Sequence, residues 1–185
     1  RFKAAEDAGA LAVGVDIDAA SFKTMSLKGQ AVGPKTIKEL YELKSHLKVP
    51  FILKGIMNVE SALSAIEAGA DAIVVSNHGG RVMDHMPGTA EVLPEISNAV
   101  AGRIKVLVDG GIREGIDIIK MLALGADAVL IGRPICIAAF GAGQEGVSFY
   151  LQEKVKELKK AMILTGCGSI DQIDPSIIFR KKGER

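Results

Sequence analysis

The 185-residue chain has no Trp, and aromatic residues make up only 4% of it. It also lacks an excess of charge, because 23 Lys and Arg residues nearly balance 22 Asp and Glu residues, for a formal net charge of +1. A surface for nucleic acid or for an anionic membrane normally shows as a basic excess. No apolar run reaches the roughly 18 residues of a bilayer-spanning helix, and no signal peptide is visible. We therefore expect neither nucleic acid nor a membrane among the partners.

Cysteine is nearly absent as well. Cys136 and Cys167 show neither metal-ligand nor CxxC spacing, which indicates two free thiols and no metal site. Free thiols fit a reducing compartment, so we expect a cytoplasmic protein. The chain begins at Arg1 and not at Met, so we expect its natural amino terminus to lie further upstream. Its length suffices for one domain with a sizeable core, which we assign to residues 1–185.

Short apolar runs alternate with amphipathic stretches along the chain. The apolar runs are rich in β-branched residues and end in polar residues or Gly, as do strands buried on both faces of a parallel sheet. They cover residues 11–15, 51–53, 72–75, 106–108 and 128–131. The helical stretches cover residues 36–47, 59–68, 90–100, 115–124 and 148–165, and a polar tail occupies 180–185. This alternation predicts an α/β fold with a parallel sheet.

A sequence repeat favours a barrel over a doubly wound sheet. Triplets beginning at Ala8, Ala68 and Leu124 each lead into an apolar run, and they lie 60 and 56 residues apart. That period corresponds to about two βα units, which fits a TIM (β/α)8 barrel. Five strands are visible, whereas a closed barrel needs eight. We therefore expect a truncated barrel, the carboxy-terminal portion with about five βα units, and roughly three units upstream.

Polar residues cluster where the predicted strands end. In a barrel, the chemistry lies at the carboxyl ends of the strands and in the loops that follow them. We call the residues at and directly after the carboxyl end of a strand its exit. The exits carry Asp16 and Asp18, Lys54 and Gly55, and the segments 76–81, 109–113 and 132–134. The strand interiors carry almost no charge, so we predict an active site on this rim.

Two adjacent exits have the composition of an anion site. The first reads Asp-Gly-Gly-Ile-Arg at 109–113, and the second reads Gly-Arg-Pro at 132–134. Glycine lets backbone N–H groups approach an anion, and Arg adds a fork of donors. A phosphate site after the seventh and eighth strands recurs in this fold. Either motif alone fits an ordinary tight turn with a solvent-facing Arg, but the two together favour phosphate.

Lys54 ends a run of apolar residues, where a charged group needs a partner. One interpretation is that a ligand anion binds there. The other is an ion pair with a neighbouring carboxylate such as Asp16 or Asp109. Sequence position favours neither interpretation.

The segment Ser-Asn-His-Gly-Gly-Arg at 76–81 is the most distinctive in the chain. It places an imidazole and a guanidinium three residues apart. His suits proton transfer near neutral pH, and Arg matches a carboxylate with two parallel hydrogen bonds. Asp16 is a candidate to hold the imidazolium, as a carboxylate does in acid–His pairs. A lone loop His is usually structural, but Arg81 and the strand-end position favour His78 as a catalytic base.

In order and spacing, these motifs resemble the FMN-dependent 2-hydroxy-acid oxidising enzymes, which include glycolate oxidase, lactate oxidase, flavocytochrome lactate dehydrogenase and mandelate dehydrogenase. The resemblance extends from about Ala8 to Ile173, and the segment at 76–81 is highly specific. Residues 87–96 look most like the lactate-oxidase branch. The resemblance implies FMN as cofactor and oxidation of an L-2-hydroxy acid to a 2-keto acid, with O₂ or another acceptor taking the electrons.

The resemblance also implies a role for each site residue. His78 removes a proton from the substrate, Arg81 binds its carboxylate, and Asp16 matches the acid that pairs with the histidine. Lys54 lies near the flavin N1 and C2 oxygen. The other implied cofactor-binding residues are Ser76, Asp109, Gly110, Gly111, Arg113, Gly132 and Arg133, the last two at the phosphate.

Some positions depart from the family's pattern. Gly14 replaces a hydroxyl residue that touches the flavin, and Val82 replaces a common Gln. Residues 18–35 do not resemble the family's loop, which carries a further substrate-binding arginine. The family's substrate-binding tyrosines would lie upstream of Arg1 or are absent.

Two other functions stay open on the sequence alone. A phosphate-binding isomerase of the type 2 isopentenyl-diphosphate isomerase kind explains the phosphate motifs but not His78 and Arg81 together. A flavin-binding module without catalysis is favoured by Gly14 and the unfamiliar loop. An open five-stranded sheet leaves two unpaired edges, so we also expect association into a homo-oligomer. For these 185 residues alone we expect weak FMN binding and little turnover.

Overall fold

The computed structural model of the chain describes residues 1–21, 27, 29 and 32–179. Part of the unfamiliar loop at 18–35, namely residues 22–26, 28, 30 and 31, and the whole polar tail at 180–185 lie outside the described residues. Among the residues described, none of the helices combines the length and the apolarity that a membrane crossing requires.

The core of the fold is a sheet of five parallel strands whose spatial order follows their order in the chain. The strands are β1 (Val13–Asp16), β2 (Phe51–Ile56), β3 (Ala72–Val75), β4 (Lys105–Val108) and β5 (Ala128–Val129). Each lies in or overlaps one of the predicted apolar runs, so the predicted parallel α/β fold is confirmed. β1 and β5 each pair with a single strand among the residues described. The sheet is an open portion of a (β/α)8 barrel.

Helices connect the strands. They are α1 (Phe2–Asp7), α2 (Ile37–Ser45), α3 (Val59–Glu67), α4 (Thr89–Val100), α5 (Gly115–Ala123) and α6 (Arg133–Thr165). Short 3-10 turns occupy Asp18–Ser21, His78–Gly80, Ile170–Gln172 and Pro175–Ile177. α2 begins with a capping box, in which Thr36 and Glu39 satisfy each other's backbone N–H groups. α3 begins at Asn58, whose side chain accepts the Ser61 N–H.

The last helix differs from its prediction. A helix was expected over 148–165, but α6 begins fifteen residues earlier, at Arg133, directly after the Gly132 exit. Pro134 lies in its first turn, where the fixed φ of proline favours helix initiation. The backbone leaves helical geometry at Ala142 and Gly143. α6 is therefore two helical segments, and the first begins at the predicted anion site.

The two faces of the sheet are unequally covered. Leu53, Ile73 and Val106 share one register row, are no more than 3% exposed, and pack in the main hydrophobic core with residues of α3 and α4. Because side chains alternate along a strand, Ile52, Val74 and Leu107 lie on the opposite face, where Val74 is buried but Ile52 and Leu107 are only half-buried. This second face leads up to the polar residues at the strand ends.

An aspartate follows two of the three repeated triplets and binds the backbone of a neighbouring strand. Asp71 and Asp127 each follow a Gly-Ala pair, and each accepts the N–H at or near the start of a neighbouring strand, from Phe51 and Val106 respectively, at 2.8 Å. Each also binds a lysine Nζ. Partial burial raises the pKa of both carboxyl groups, but the lysine and backbone hydrogen bonds outweigh it, so both pKa values lie below the usual range. The two aspartates fix strand positions at the end of the sheet opposite the site.

Candidate active site

The carboxyl ends of the strands bring the predicted residues together at one edge of the sheet. Asp16 ends β1 directly opposite Lys54 of β2. Asp109 follows β4, and its N–H donates to the Val75 carbonyl oxygen at the end of β3. Because neighbouring parallel strands end at the same edge, residues far apart in sequence become neighbours here.

Lys54 lies between two carboxylates. Its Nζ is 2.9 Å from Asp16 Oδ1 and 3.9 Å from Asp109 Oδ2, and its side chain is 23% exposed. The geometry therefore agrees with the interpretation in which Lys54 forms ion pairs with the neighbouring carboxylates Asp16 and Asp109. An ammonium group held in this way still presents positive charge to the cavity that it lines.

The carboxylate that contacts His78 is that of Asp18. Both Asp18 carboxylate oxygens lie 3.2 Å from His78 Nδ1. The expected pairing of Asp16 with His78 is corrected, because Asp16 lies in β1 opposite Lys54 and forms its ion pair there. Asp18 lies beyond the strand, in the 3-10 turn Asp18–Ser21. The donor atoms of Asp16, Asp18 and His78 nevertheless all lie within 4.8 Å of one another.

The loop that carries His78 has an unusual backbone. His78, Gly79 and Gly80 have φ values of 56°, 69° and 79°, three consecutive left-handed residues. This region is uncommon for a residue with a side chain, and such strain clusters at functional sites. The His78 N–H donates to Ser76 Oγ, and Asn77 Oδ1 accepts the Gly80 N–H. The loop is therefore held by its own polar side chains.

An open cavity of about 900 Å³ lies against this edge. Nine of the eleven predicted site residues line it: Lys54, His78, Arg81, Asp109, Gly110, Gly111, Arg113, Gly132 and Arg133. Ser76 and Asp16 do not line it. Ser76 is fully buried and orients the His78 backbone, so the structure does not bring its side chain to the cavity wall.

α6 supplies an apolar wall that the sequence analysis did not predict. Ile137, Phe149 and Tyr150 line the cavity. Tyr150 Oη donates to the Arg113 carbonyl oxygen at 2.9 Å. Burial raises the pKa of the Tyr150 hydroxyl, which keeps it protonated as a donor. No motif marks these residues, because apolar residues at helical spacing read as ordinary core.

One end of the cavity is suited to a polar, anionic ligand. Among the residues described, the guanidinium groups of Arg113 and Arg133 make no hydrogen bond or ion pair within the chain. Asp109 Oδ1 is buried and has no hydrogen-bond partner among the same residues. A buried carboxylate oxygen without a donor is costly, so a ligand hydroxyl group fits there. The two arginines offer the charge that a phosphate needs.

The fold and the site together define a barrel-type α/β protein with a cavity suited to an anionic ligand beside an acid–His pair. Residues 3–180 match the model of one family, and the chain belongs to it: the FMN-dependent dehydrogenases. The cofactor of this family is FMN. The arginine end of the cavity has the charge that an FMN phosphate would need, and Asp109 Oδ1 would have room to accept a hydrogen bond from a hydroxyl group of the cofactor.

Curated relatives agree with this assignment. A peroxisomal (S)-2-hydroxyacid oxidase of Arabidopsis thaliana is 47% identical over 148 residues, which cover 80% of this chain and 40% of that protein. An L-lactate dehydrogenase of Caulobacter sp. (strain K31) is 48% identical over 143 residues, which cover 77% of this chain and 38% of that protein. The chain thus spans about two fifths of the length of these relatives.

Solved structures agree as well. A mandelate oxidase with 3,3-difluoro-2-hydroxy-3-phenylpropionic acid superposes with a TM-score of 0.86 at 40% identity, covering 94% of this chain and 56% of that one. A mandelate oxidase mutant with the C4a-OH-FMN adduct gives a TM-score of 0.86 at 41% identity, over 93% of this chain and 56% of that one.

Proposed function

We propose that this chain contributes the cofactor site and the catalytic base to an FMN-dependent oxidation of an L-2-hydroxy acid to a 2-keto acid. The observation that carries the proposal is the juxtaposition of two sites in one cavity. His78, paired with Asp18, and Arg81 line the same cavity as the anion-binding residues of β4 and α6. An acid–His pair and a carboxylate-binding group beside a flavin site are the parts that this reaction needs.

Arg81 and His78 have different roles in the proposed reaction. Arg81 binds the substrate carboxylate and so places the α-carbon toward the interior of the cavity. A carboxylate only accepts hydrogen bonds, so the Nδ1 that contacts Asp18 carries the proton, and Nε2 carries the lone pair. Nε2 of His78 takes the substrate proton. When bound, FMN supplies the two-electron acceptor that takes up the remaining hydrogen with its electron pair.

The cofactor is proposed to lie along the rim from β2 to α6. Arg113, Arg133 and the Gly132 backbone hold the phosphate, and Gly110 and Gly111 allow close approach of the backbone. Asp109 Oδ1 accepts from the ribityl chain. Lys54 presents its ammonium group to the ring while Asp16 balances its charge. Ser76 acts through the His78 backbone, which it orients.

The substrate is proposed to be a small, lactate-like 2-hydroxy acid, with O₂ or another acceptor taking the electrons. The relatives include both oxidases and dehydrogenases, which leaves the acceptor open. A homo-oligomer stays a prediction. A cytoplasmic location also stays a prediction, because the relatives include peroxisomal oxidases.

The test uses the intact natural protein, of which we expect these residues to be one part. The FMN-loaded protein is mixed anaerobically with L-lactate, glycolate and (S)-mandelate, and flavin absorbance is followed. We expect bleaching with at least one acid. His78→Gln should keep FMN but slow bleaching by about two to four orders of magnitude.

His85→Gln is the matched control, because His85 is exposed and does not line the cavity. A spectrum that stays oxidised with every acid would indicate a binding module without this activity. Bleaching at the parent rate in His78→Gln would remove His78 from the mechanism. Loss of bleaching in His85→Gln as well would point to a general folding defect.

A further inference from the structure

We propose that Asp18, and not Asp16, is the positioning residue for His78, and that Gly55 creates the space in which Asp18 reaches it. The proposal rests on the function proposed above for His78. It assigns the carboxylates at and just after the end of β1 to two different side chains of the site, Asp16 to Lys54 and Asp18 to His78.

Distance and burial separate the two aspartates. Both Asp18 oxygens lie 3.2 Å from His78 Nδ1, and the Asp18 side chain is only 7% exposed. The Asp16 side chain is 46% exposed, and its Oδ1 lies 2.9 Å from Lys54 Nζ. A shielded carboxylate holds an imidazole more strongly than a solvated one, since water competes less for it.

The strand next to β1 is shaped to receive Asp18. β2 has an irregular register between Lys54 and Ile56, and Gly55 between them has a φ of 104°. A Cβ atom at position 55 would lie 2.6 Å from Asp18 Cβ and Cγ and 2.9 Å from its backbone nitrogen. Only glycine fits this backbone and this space.

A backbone hydrogen bond fixes the approach. The Ile17 N–H donates to the Lys54 carbonyl oxygen at 2.9 Å, directly before the irregularity in β2. This bond carries the chain past the end of β1 and turns Asp18 over Gly55. The position of Asp18 is therefore built by two elements, the turn after β1 and the irregular end of β2.

The pairing sets the tautomer of His78. Because the Asp18 carboxylate is an acceptor only, His78 Nδ1 must keep its proton to bind it. Lys54 Nζ, 3.5 Å from the same Nδ1, then contacts the ring without donating to that nitrogen. A protonated Nδ1 leaves the lone pair on Nε2, the state that a base requires. Asp16 Oδ1 is engaged by Lys54 Nζ at 2.9 Å instead.

The first experiment measures the tautomer without substrate or flavin. The chain has three histidines, so long-range ¹H–¹⁵N correlation of the imidazole rings resolves His78. We expect a protonated Nδ1 in the parent chain and a loss of this preference in Asp18→Asn. Asp16→Asn should retain the Nδ1–H tautomer. The reverse pattern, with the preference lost in Asp16→Asn and kept in Asp18→Asn, overturns the proposal.

Gly55→Ala is the second variant, and it leaves both carboxylates in the sequence. Its added methyl group should displace Asp18 and reproduce the tautomer change of Asp18→Asn. Circular dichroism of each variant identifies a folding failure. A folded Gly55→Ala chain with the parent tautomer overturns the role given to Gly55.

The second experiment measures flavin reduction in the intact FMN-loaded protein. Asp18→Asn should lower the reduction rate at saturating substrate by roughly a hundredfold, while the substrate dissociation constant changes less than about threefold. Asp7→Asn, on the exposed face of α1, is the control for a remote carboxylate. A parent rate in Asp18→Asn overturns the positioning role. If no substrate reduces the flavin, the proposed function fails, and the tautomer alone decides the assignment of Asp18.

Discussion

The guanidinium group of Arg133 lies over the backbone of Gly79, so that a Cβ atom at position 79 would be 3.3 Å from Arg133 Nη2. Gly79 belongs to the loop that carries His78, and Arg133 begins α6. The loop that bears the base and the helix that bears the anion donor are therefore adjacent, and a side chain at position 79 would meet Arg133.

Removing the Arg133 side chain should weaken FMN binding. Arg133→Ala loses a charge-assisted hydrogen bond of about 1.5–3 kcal/mol, which corresponds to an affinity loss of roughly ten- to a hundredfold. Titration of the apoprotein by quenching of FMN fluorescence measures this. Arg103→Ala is the control, because Arg103 donates to the Val100 and Ala99 carbonyl oxygens away from the cavity. Equal losses in both variants would argue against a phosphate at Arg133.

Two lysine-to-methionine changes should differ in their effect on stability. Lys54→Met leaves Asp16 and Asp109 facing each other at a half-buried site, which we expect to cost about 1–3 kcal/mol. Lys105→Met breaks an ion pair whose lysine is 73% exposed, so about 0–1 kcal/mol is expected. Urea unfolding of the apoprotein measures both. A greater loss for Lys105→Met would contradict this account of the Lys54 ion pairs.

Acid should destabilise the chain partly through Asp71 and Asp127. Their pKa values are lowered in the folded state, so folding favours the ionised forms. The stabilisation is present above the unfolded pKa of about 3.9 and is lost as pH falls through the lower folded values. Urea unfolding between pH 7 and pH 2.5 should show a shallower acid loss in Asp71→Asn and Asp127→Asn than in the parent. An unchanged pH profile in both variants would exclude the two aspartates as a source of acid sensitivity.

The contact between α5 and α6 should tolerate no side chain at Gly115. A Cβ atom there would lie within 2.5 Å of Glu157 and of the backbone nitrogen of Leu158. We expect Gly115→Ala to destabilise the chain by about 1–3 kcal/mol. Gly141→Ala is the control, since a Cβ atom at that helical position meets nothing within 4 Å. Thermal unfolding compares them, and equal midpoints would show that the two helices separate at little cost.

Most of the fold can be predicted from the sequence, because apolar residues recur with different periods in strands and in helices. Apolar runs located β2, β3 and β4 to within a few residues, and the polar residues at the strand ends located the edge of the sheet where Lys54 and Asp109 lie. Such predictions need only the rule that parallel strands end at one edge. The period of apolar residues does not show where a helix begins if apolar and polar residues do not alternate in its first turns. For this reason the start of α6 was predicted at residue 148 and not at Arg133.

The sequence could not show that His78 pairs with Asp18, because the choice of partner depends on backbone geometry. Asp16 and Asp18 are both acidic and two positions apart, so pattern alone cannot separate them. The choice depends on where β1 ends and on the irregular register of β2 at Gly55, and both are properties of backbone pairing. The apolar wall from Phe149 and Tyr150 depends in the same way on how α6 packs across the rim.

The strand order of the sheet, which equals the order of the chain, has a consequence for how the site can vary. Contacts at this edge also reach past the neighbouring strand, because Asp18 after β1 contacts His78 after β3, and Arg133 after β5 lies beside Gly79 of the same loop. The base loop after β3 lies between the Lys54 exit and the Asp109 exit, and its surroundings are therefore set from both sides. A substitution at the first or the last of these exits, at Asp18 or at Arg133, therefore reaches the loop of the base as directly as one at a neighbouring strand.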